Sequence, residues 1–304
     1  MLAWLISLAL VPSSTWSQLE ASPSGAVVVA SDLEVRLSTD QGKTFRGTLF
    51  GVDRVDSVAL TDDGTLYVAR HGRLGVRAPD GAERWSRLPA ETTYLLVANG
   101  AYVLWLGVTD PEADESWWAS ADGGATFTQR PEWKTGTNAN TAALTPAGRV
   151  HLLLGWEAPC GGGYQERYVG RISDHELRST GWPLDSPVDY FPTTRGWVYV
   201  PDDCDEFNRY VLCAVSPRGV VSRLAVPFDD EDYGPMYAAE DGARTWLLHH
   251  GQLTRAAGRL ARVVSTAGPL DARGLAATSG TRWVITEAGL IMAFTDGRWI
   301  VKTP

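Results

Sequence analysis

An eight-residue motif occurs twice in this 304-residue chain, at positions 38–45 and 120–127. Both copies fit the pattern Ser-x-Asp-x-Gly-x-Thr-Phe, and each follows a short apolar stretch that is typical of a β-strand. Weaker turn signals continue the spacing along the chain at steps of 40, 42, 52, 44, 39 and 39 residues. The turn positions are Asp40, Asp80, Asp122, Asp174, Arg218, Ala257 and Asp296. A repeat of about 40 residues with four short strands per unit predicts an all-β fold, a seven-bladed β-propeller.

A second marker runs in phase with these turns. Continuous apolar runs rich in Val, Ile, Tyr and Trp recur once per unit, and most of them follow a glycine-containing turn. The runs are 27–29, 66–68, 102–105, 150–154, 197–200, 246–248 and 283–285. Continuous rather than alternating apolarity indicates a strand that is buried on both faces, as between neighbouring blades.

The two markers together give a layout for each blade, with strands a to d. We expect the Asp-Gly turns to join strands c and d, and the apolar runs to form strand b. Propeller topology then places the c–d and a–b turns on one face of the ring, and the b–c and d–a loops on the other. We expect strand a of blade 1 at 16–22 and strand d of blade 7 at 298–302, with the chain ends meeting to close the ring.

The motif resembles the Asp-box, or BNR repeat, of sialidases, sortilin-type receptors, xyloglucan-active hydrolases and photosystem II assembly factors. The resemblance implies a propeller fold, and it implies that the motif residues stabilise hairpins away from the active face. It assigns this structural role to Ser38, Asp40, Gly42, Phe45, Ser120, Asp122, Gly124 and Phe127. Sialidases also carry an Arg-Ile-Pro segment and an arginine triad; this chain has no Arg-Ile-Pro, and its arginines are scattered.

Composition limits the partners and the compartment. A net charge of −9 without a basic cluster argues against nucleic acid. The apolar residues 1–11, followed by Pro-Ser-Ser-Thr, predict a signal peptide over residues 1–17, a secreted or periplasmic location, and a single monomeric propeller over 18–304. A mis-chosen start codon or a buried first strand is the alternative. No later stretch is apolar and long enough to span a membrane.

The three cysteines allow more than one pairing. Cys160 and Cys204 fall in the equivalent b–c loops of neighbouring blades 4 and 5, so a disulfide between them would join two long loops. Cys213 falls inside strand c of blade 5, where we expect it to be a buried free thiol. A Cys204–Cys213 bridge across the hairpin is the competing pairing. Zinc is a poor alternative because neither Cys-x-x-Cys nor a finger-spaced His pair is present.

Long, acidic loops with interspersed aromatic residues predict the functional face. Three consecutive b–c loops, in blades 3 to 5, and the d–a connection into blade 6 should meet at one rim. We expect a protein or glycan ligand there, because aromatic anchors within a polar ring are typical of recognition surfaces. A merely solvated surface is the alternative, and Ca²⁺ is the one cofactor that such carboxylates could bind. The predicted binding residues are Asp110, Glu112, Trp117, Trp156, Tyr164, Asp202, Asp205, Phe207 and Tyr233.

Catalysis has weaker support in the sequence. A glycosidase needs two carboxylates facing each other across a sugar, and Asp110, Glu157 and Asp202 are the candidates at the ends of strands b. Histidines at the corresponding points of blades 2 and 6 could hold a metal, but nothing selects a pair. We therefore read the chain as a non-catalytic binding propeller without a cofactor. A glycoside hydrolase or lyase is the first alternative, and an assembly factor is the second.

Overall fold

A computed structural model describes residues 16–47, 54–89, 92–109, 114–136, 139–157, 163–181, 191–202, 211–224, 236–242 and 244–304. These residues form strands, turns and bends without an α-helix. Accordingly, the described part of the chain offers no helix that could cross a membrane.

The described strands form seven sheets, each of four antiparallel strands taken consecutively from the chain. Blades 1 and 2 comprise β1 Gln18–Ala21, β2 Val27–Ala30, β3 Val35–Ser38, β4 Arg46–Gly47, β5 Ser57–Leu60, β6 Leu66–Arg70, β7 Arg73–Arg77 and β8 Glu83–Arg87. Blades 3 and 4 comprise β9 Thr92–Asn99, β10 Tyr102–Val108, β11 Ser116–Ser120, β12 Thr128–Gln129, β13 Ala139–Leu144, β14 Arg149–Glu157, β15 Gly163–Arg171 and β16 Arg178–Ser179. Blades 5 to 7 comprise β17 Phe191–Pro192, β18 Val198–Asp202, β19 Val211–Val215, β20 Val221–Arg223, β21 Tyr237–Glu240, β22 Thr245–His249, β23 Gln252–Ala257, β24 Leu260–Ser265, β25 Ala272–Ala277, β26 Arg282–Thr286, β27 Ile291–Thr295 and β28 Arg298–Lys302.

The seven-bladed propeller predicted from the sequence is confirmed. Each of the seven turn positions lies between the third and fourth strands of its sheet or at the end of the third, and each apolar run contributes a second strand. Strand a of blade 1 lies within the predicted range, and strand d of blade 7 covers Arg298–Lys302 as expected. The spacing succeeds because many of the hairpin turns hold glycine at a positive φ, whereas the second strands of the blades are mostly apolar and buried.

The first strands of the blades form the inner wall of the ring. Strands β1 and β5, β5 and β9, β9 and β13, β13 and β17, β21 and β25, and β25 and β1 contact one another. Along a strand b, alternate side chains face opposite neighbours: Val27 and Val29 pack against blade 7, while Val28 packs against blade 2. The hydrophobic core therefore lies between the blades, and this explains why strand b is apolar on both faces.

The ring closes without exchange of a strand between its first and last blades. Blade 1 contains only strands from the start of the chain, and blade 7 only strands from its end. Their seam is apolar: the fully buried Trp283 of β26 packs with Leu19 and Val27, and its ring meets Phe45 edge-on at 6.3 Å between centroids. Arg273 Nη2 donates to Ser17 O at 3.2 Å across the same seam.

The placement of Trp117 on the binding face is wrong. The residue lies within β11 and has no exposed surface. Its Nε1 donates to Lys134 O at 2.8 Å, in the core between blades 3 and 4. Trp117 therefore stabilises the packing of two blades and cannot contact a ligand on the rim.

The cysteines also differ from the expected pairing. Cys213 is completely buried in β19, as expected, but it is bonded in a disulfide. The chain has three cysteines, so a disulfide within the chain that includes Cys213 uses either Cys160 or Cys204. The expected Cys160–Cys204 bridge, with Cys213 as a free thiol, is therefore wrong. Cys160 and Cys204 themselves lie outside the described residues.

Candidate functional site

Both copies of the eight-residue motif form self-contained hairpins on the c–d face. In the first, Asp40 Oδ1 accepts from Ser38 Oγ at 2.8 Å, from Lys43 N at 3.1 Å and from Thr44 N at 2.9 Å. Its Oδ2 accepts from Thr44 Oγ1 at 2.7 Å, and Ser38 Oγ accepts from Gly42 N at 2.8 Å. The carboxylate thus supplies the acceptors that the turn backbone requires.

The second hairpin repeats this arrangement. Asp122 accepts from Ser120 Oγ at 2.7 Å, from Thr126 N at 2.9 Å and from Thr126 Oγ1 at 2.6 Å. Hydrogen bonds from Thr126 and Ser120 lower the pKa of the Asp122 carboxyl, and the equivalent bonds from Thr44 and Ser38 lower the pKa of Asp40. Carboxylates committed to their own turn in this way are poorly suited to catalysis.

The motif glycines bring each hairpin against the preceding blade. A Cβ on Gly42 would lie 2.0 Å from Trp283 Cη2, and one on Gly124 would lie 2.5 Å from Leu74 Cδ2. Both glycines also have positive φ, at +70° and +80°. Phe127 packs near Trp105, with ring centroids 6.4 Å apart. Each hairpin therefore contributes to packing between strands or blades, on the face opposite the predicted ligand.

The residues predicted to bind ligand are described only in part. Asp110, Glu112, Asp205, Phe207 and Tyr233 lie outside the described residues. Trp156, Tyr164, Glu157 and Asp202 lie on strands β14, β15 and β18, near the b–c loops as expected, but the structure describes their backbone and not their side chains. Their grouping on one rim stays a prediction.

The histidines singled out from the sequence occupy tight turns. His71-Gly72 and His250-Gly251 each form the two-residue b–c turn of blades 2 and 6, with all four residues at positive φ (43°, 69°, 43° and 71°). Such consecutive positive values are typical of type I′ hairpins. His249 is buried, and its ring lies 4.2 Å from that of His250. Among the described residues, no group of three or more His, Cys, Asp or Glu side chains could hold a metal ion.

Two carboxylates outside the predicted rim have raised pKa values. Glu20, on the innermost strand β1, is accessible to solvent, yet the protein around it removes enough water to raise the pKa of its carboxyl to about 7. Burial also raises the pKa of Glu240. Its Oε2 accepts a hydrogen bond from Thr194 N at 2.6 Å, and its Oε1 lies 3.5 Å from Arg195 Nε. Glu240 ends β21 at an a–b turn, on the c–d face. Neither residue belongs to the rim predicted from the sequence.

Exposed apolar side chains mark a different part of the b–c and d–a face. Leu33 in the b–c loop of blade 1 is 60% exposed, Leu290 in the b–c loop of blade 7 is 51% exposed, and Leu270 in the d–a connection into blade 7 is 77% exposed. Tyr94, near the start of strand a in blade 3, is 55% exposed on the same face. The other large apolar side chains exposed among the described residues lie on outer strands or at c–d turns; they are Trp85, Val220, Leu260, Val264 and Val301.

A basic pocket lies on the next blade of the ring, at the b–c turn and outer strands of blade 2. Its volume is about 580 Å³, and its lining includes His71, Arg73, Trp85, Arg87 and Thr109. The guanidinium of Arg73 lies over the Trp85 ring at 5.0 Å from its centroid. Leu33, Leu270, Leu290 and this pocket define what we call the 7–1–2 arc, after its three consecutive blades.

Sequence reasoning missed the 7–1–2 arc, although one signal for it was available. The two-residue turn His71-Gly72 fixes the pairing of Arg70 with Arg73, and the next hairpin pairs Arg73 with Arg87. The layout of strands therefore already implied a row of arginines. No pattern in the sequence predicted that the three leucines would be exposed.

Comparisons with known proteins show the fold and no family. No family model matches the chain, and no curated protein matches it. Among solved structures, the propeller domain of the Trilobed protease from Pyrococcus furiosus, described as having an open velcro topology, matches with a TM-score of 0.63 at 11% identity over 95% of each chain. YCF48 bound to D1 peptide matches with a TM-score of 0.59 at 12% identity over 93% of each chain. U3-55K matches with a TM-score of 0.61 at 10% identity, over 90% of this chain and 89% of that one.

Proposed function

We propose that this propeller is an interaction module that binds a segment of a partner protein on its b–c and d–a face. The observation that carries the proposal is the group of exposed leucines on adjacent blades, Leu270 and Leu290 of blade 7 and Leu33 of blade 1. Single exposed leucines are ordinary, but three on neighbouring loops of one rim are typical of a recognition surface.

The opposite face supports this assignment by contrast. Its motif hairpins satisfy their own donors and acceptors, so they offer few groups to a ligand. The similar fold of YCF48 carries a bound D1 peptide, and this chain would use its propeller for a comparable purpose. The hydrolase alternative depends on Asp110, Glu157 and Asp202, whose side chains lie outside the described part of the structure, so no observation favours it.

A peptide-display selection tests the proposal. The immobilised protein would be screened with a random 12-residue library, and the selected peptides would be measured against a triple variant, L33S/L270S/L290S. A matched variant, V220S/L260S/V264S, removes similarly exposed apolar side chains at other places. We expect the selected peptides to lose about tenfold or more in affinity on the first variant and to change little on the second, because about 1.4 kcal/mol of lost apolar burial corresponds to tenfold.

Two results would contradict the proposal. One is a selection whose peptides bind both variants as well as they bind the parent protein. The other is an absence of peptide binders together with specific binding on a glycan array, which would move the assignment from a protein to a sugar ligand.

A further inference from the structure

Three arginines form one row across blade 2. Arg70 pairs directly with Arg73 between β6 and β7, and Arg73 pairs directly with Arg87 between β7 and β8. Directly paired residues of antiparallel strands place their side chains on the same face of the sheet, and neighbouring strands are about 4.8 Å apart. The three side chains therefore begin within a span of about 10 Å.

The direct pairing of Arg73 with Arg87 is costly for folding, and the turn does not require an arginine at position 73. Like charges directly opposite each other in a sheet are destabilising. Blade 6 has the same His-Gly turn, yet it carries the pair His249 and Gln252 at the positions of Arg70 and Arg73. Among the described residues, no carboxylate forms an ion pair with Arg73 or Arg87. Both side chains are exposed and line the 580 Å³ pocket.

Trp85 gives the pocket a fixed wall. Its ring is 38% exposed and lies beneath the guanidinium of Arg73. Stacking on an aromatic ring restricts a guanidinium to one plane, and a planar guanidinium presents paired N–H donors that match the two oxygens of a carboxylate.

We infer that this pocket binds the carboxylates of an acidic segment in the partner protein. The inference rests on the proposed function and names the chemistry of its ligand. Charge complementarity carries it, because the chain as a whole is acidic, with a net charge of −9. An acidic segment is repelled by most of such a surface and attracted at this row, since charges beyond roughly 10 Å are screened at moderate salt. The row therefore fixes where the segment docks.

Fluorescence anisotropy with defined peptides tests this directly. The probe is a fluorescein-labelled 12-residue peptide of alternating Glu and Ala, and its neutral counterpart has Gln in place of Glu. The variant R73Q/R87Q removes the two charges that line the pocket. The matched control R259Q/R298Q removes two exposed arginines at c–d turns on the opposite face, with the same change in net charge.

We expect the Glu peptide to bind the parent protein at 50 mM NaCl, and the Gln peptide to bind at least tenfold more weakly. R73Q/R87Q should lose about tenfold or more, because it removes the charged partners of the carboxylates, and hydrogen bonds between charged groups are stronger than neutral ones. R259Q/R298Q should change affinity by less than about twofold. R73K/R87K should recover only part of the affinity, because lysine keeps the charge and loses the planar fork.

Several outcomes would overturn the inference. Equal loss in both glutamine variants would show a diffuse charge effect, and full recovery with lysine would exclude paired recognition of carboxylates. Binding of a phosphoserine peptide with none of the Glu peptide would assign phosphate instead. Asp110 and Glu112 follow Thr109 in the sequence; binding of the Glu peptide only to D110N/E112Q would make the chain's own loop the occupant.

The test separates this inference from the proposed function. If the leucine variant abolishes binding of the selected peptides while R73Q/R87Q has no effect on the Glu peptide, the interaction face stands and the acidic ligand is wrong. If only R73Q/R87Q has an effect, the pocket stands and the role of the leucines is wrong.

Discussion

Replacing Gly42 with alanine should open the seam between blades 1 and 7. The new Cβ would lie 2.0 Å from Cη2 and 2.3 Å from Cζ2 of Trp283, closer than packed atoms approach. Trp283 is completely buried, so it has little room to move away. The φ of +70° is a second source of cost, because alanine disfavours the left-handed region.

The two costs can be separated with a matched glycine. The left-handed conformation costs about 1–2 kcal/mol, and overpacking of a filled core costs a further 1–3 kcal/mol, so G42A should lose about 3 kcal/mol of unfolding free energy. Gly219 has a similar φ of +79°, but no atom lies within 4 Å of the place that a Cβ would occupy there. G219A should therefore lose only the first part, about 1 kcal/mol.

Guanidinium denaturation followed by tryptophan fluorescence would measure both variants. A compensating substitution, W283F, removes the atoms that the new methyl group strikes. The double variant G42A/W283F should be more stable than the sum of the single effects predicts, by about 1–2 kcal/mol, because the clash exists only when the methyl group and the indole are both present. Equal destabilisation by G42A and G219A, or strict additivity in the double variant, would refute the role assigned to this contact.

Three further predictions concern other parts of the ring. Asp241 and Arg282 form a buried ion pair at 3.0 Å between blades 6 and 7, and the Arg282 guanidinium lies 3.6 Å from the centroid of the Trp246 ring. D241A should lower the free energy of unfolding by about 3–5 kcal/mol in thermal unfolding, because it leaves the buried guanidinium without its partner. The double variant D241A/R282M should lose less than the sum of the two single variants. Burial, with the charges of Arg167 and Arg149, lowers the pKa of His151 to about 4. Since the unfolded state binds the proton first, stability should fall by up to about 3 kcal/mol as the pH drops from 6.5 to 4, and H151Q should show a flatter pH profile in the same titration. Non-reducing peptide mapping should find Cys213 in a disulfide; a Cys160–Cys204 fragment together with a free Cys213 would contradict this.

The fold was predictable because its signals are local and periodic. Gly42, Gly124 and Gly297 mark turns that only glycine enters easily, and runs such as 27–29 mark strands that two neighbouring blades cover. The wrong assignment of Trp117 shows where this reasoning weakens. Its strand begins at Ser116, directly after the acidic loop, and a shift of one residue in a strand moves a side chain from the rim into the core.

The candidate site was less predictable because it depends on relations between distant positions. Neither Arg73 nor Arg87 belongs to a sequence motif that indicates a binding site, and only the pairing of β7 with β8 makes them neighbours. The group of exposed leucines depends on the ring itself, since Leu33 and Leu290 are 257 residues apart in the chain (290 − 33) and lie on adjacent blades only because blade 7 returns to blade 1. Composition favoured the acidic loops instead, because charge runs are visible in a sequence whether or not they bind anything.

The position of the leucines links ligand binding to closure of the ring. Leu270 and Leu290 belong to blade 7 and Leu33 to blade 1, so a ligand that contacts all three spans the seam that Trp283 holds together. A ligand that binds only the closed ring stabilises it by about 2.7 kcal/mol at a concentration one hundred times its Kd. That amount is close to the expected cost of G42A. Such a ligand should therefore offset most of the stability that G42A removes, and it should add the same amount to any variant whose closed ring binds it equally well. A smaller gain for G42A than for G219A would show that G42A opens the seam without unfolding the rest of the ring.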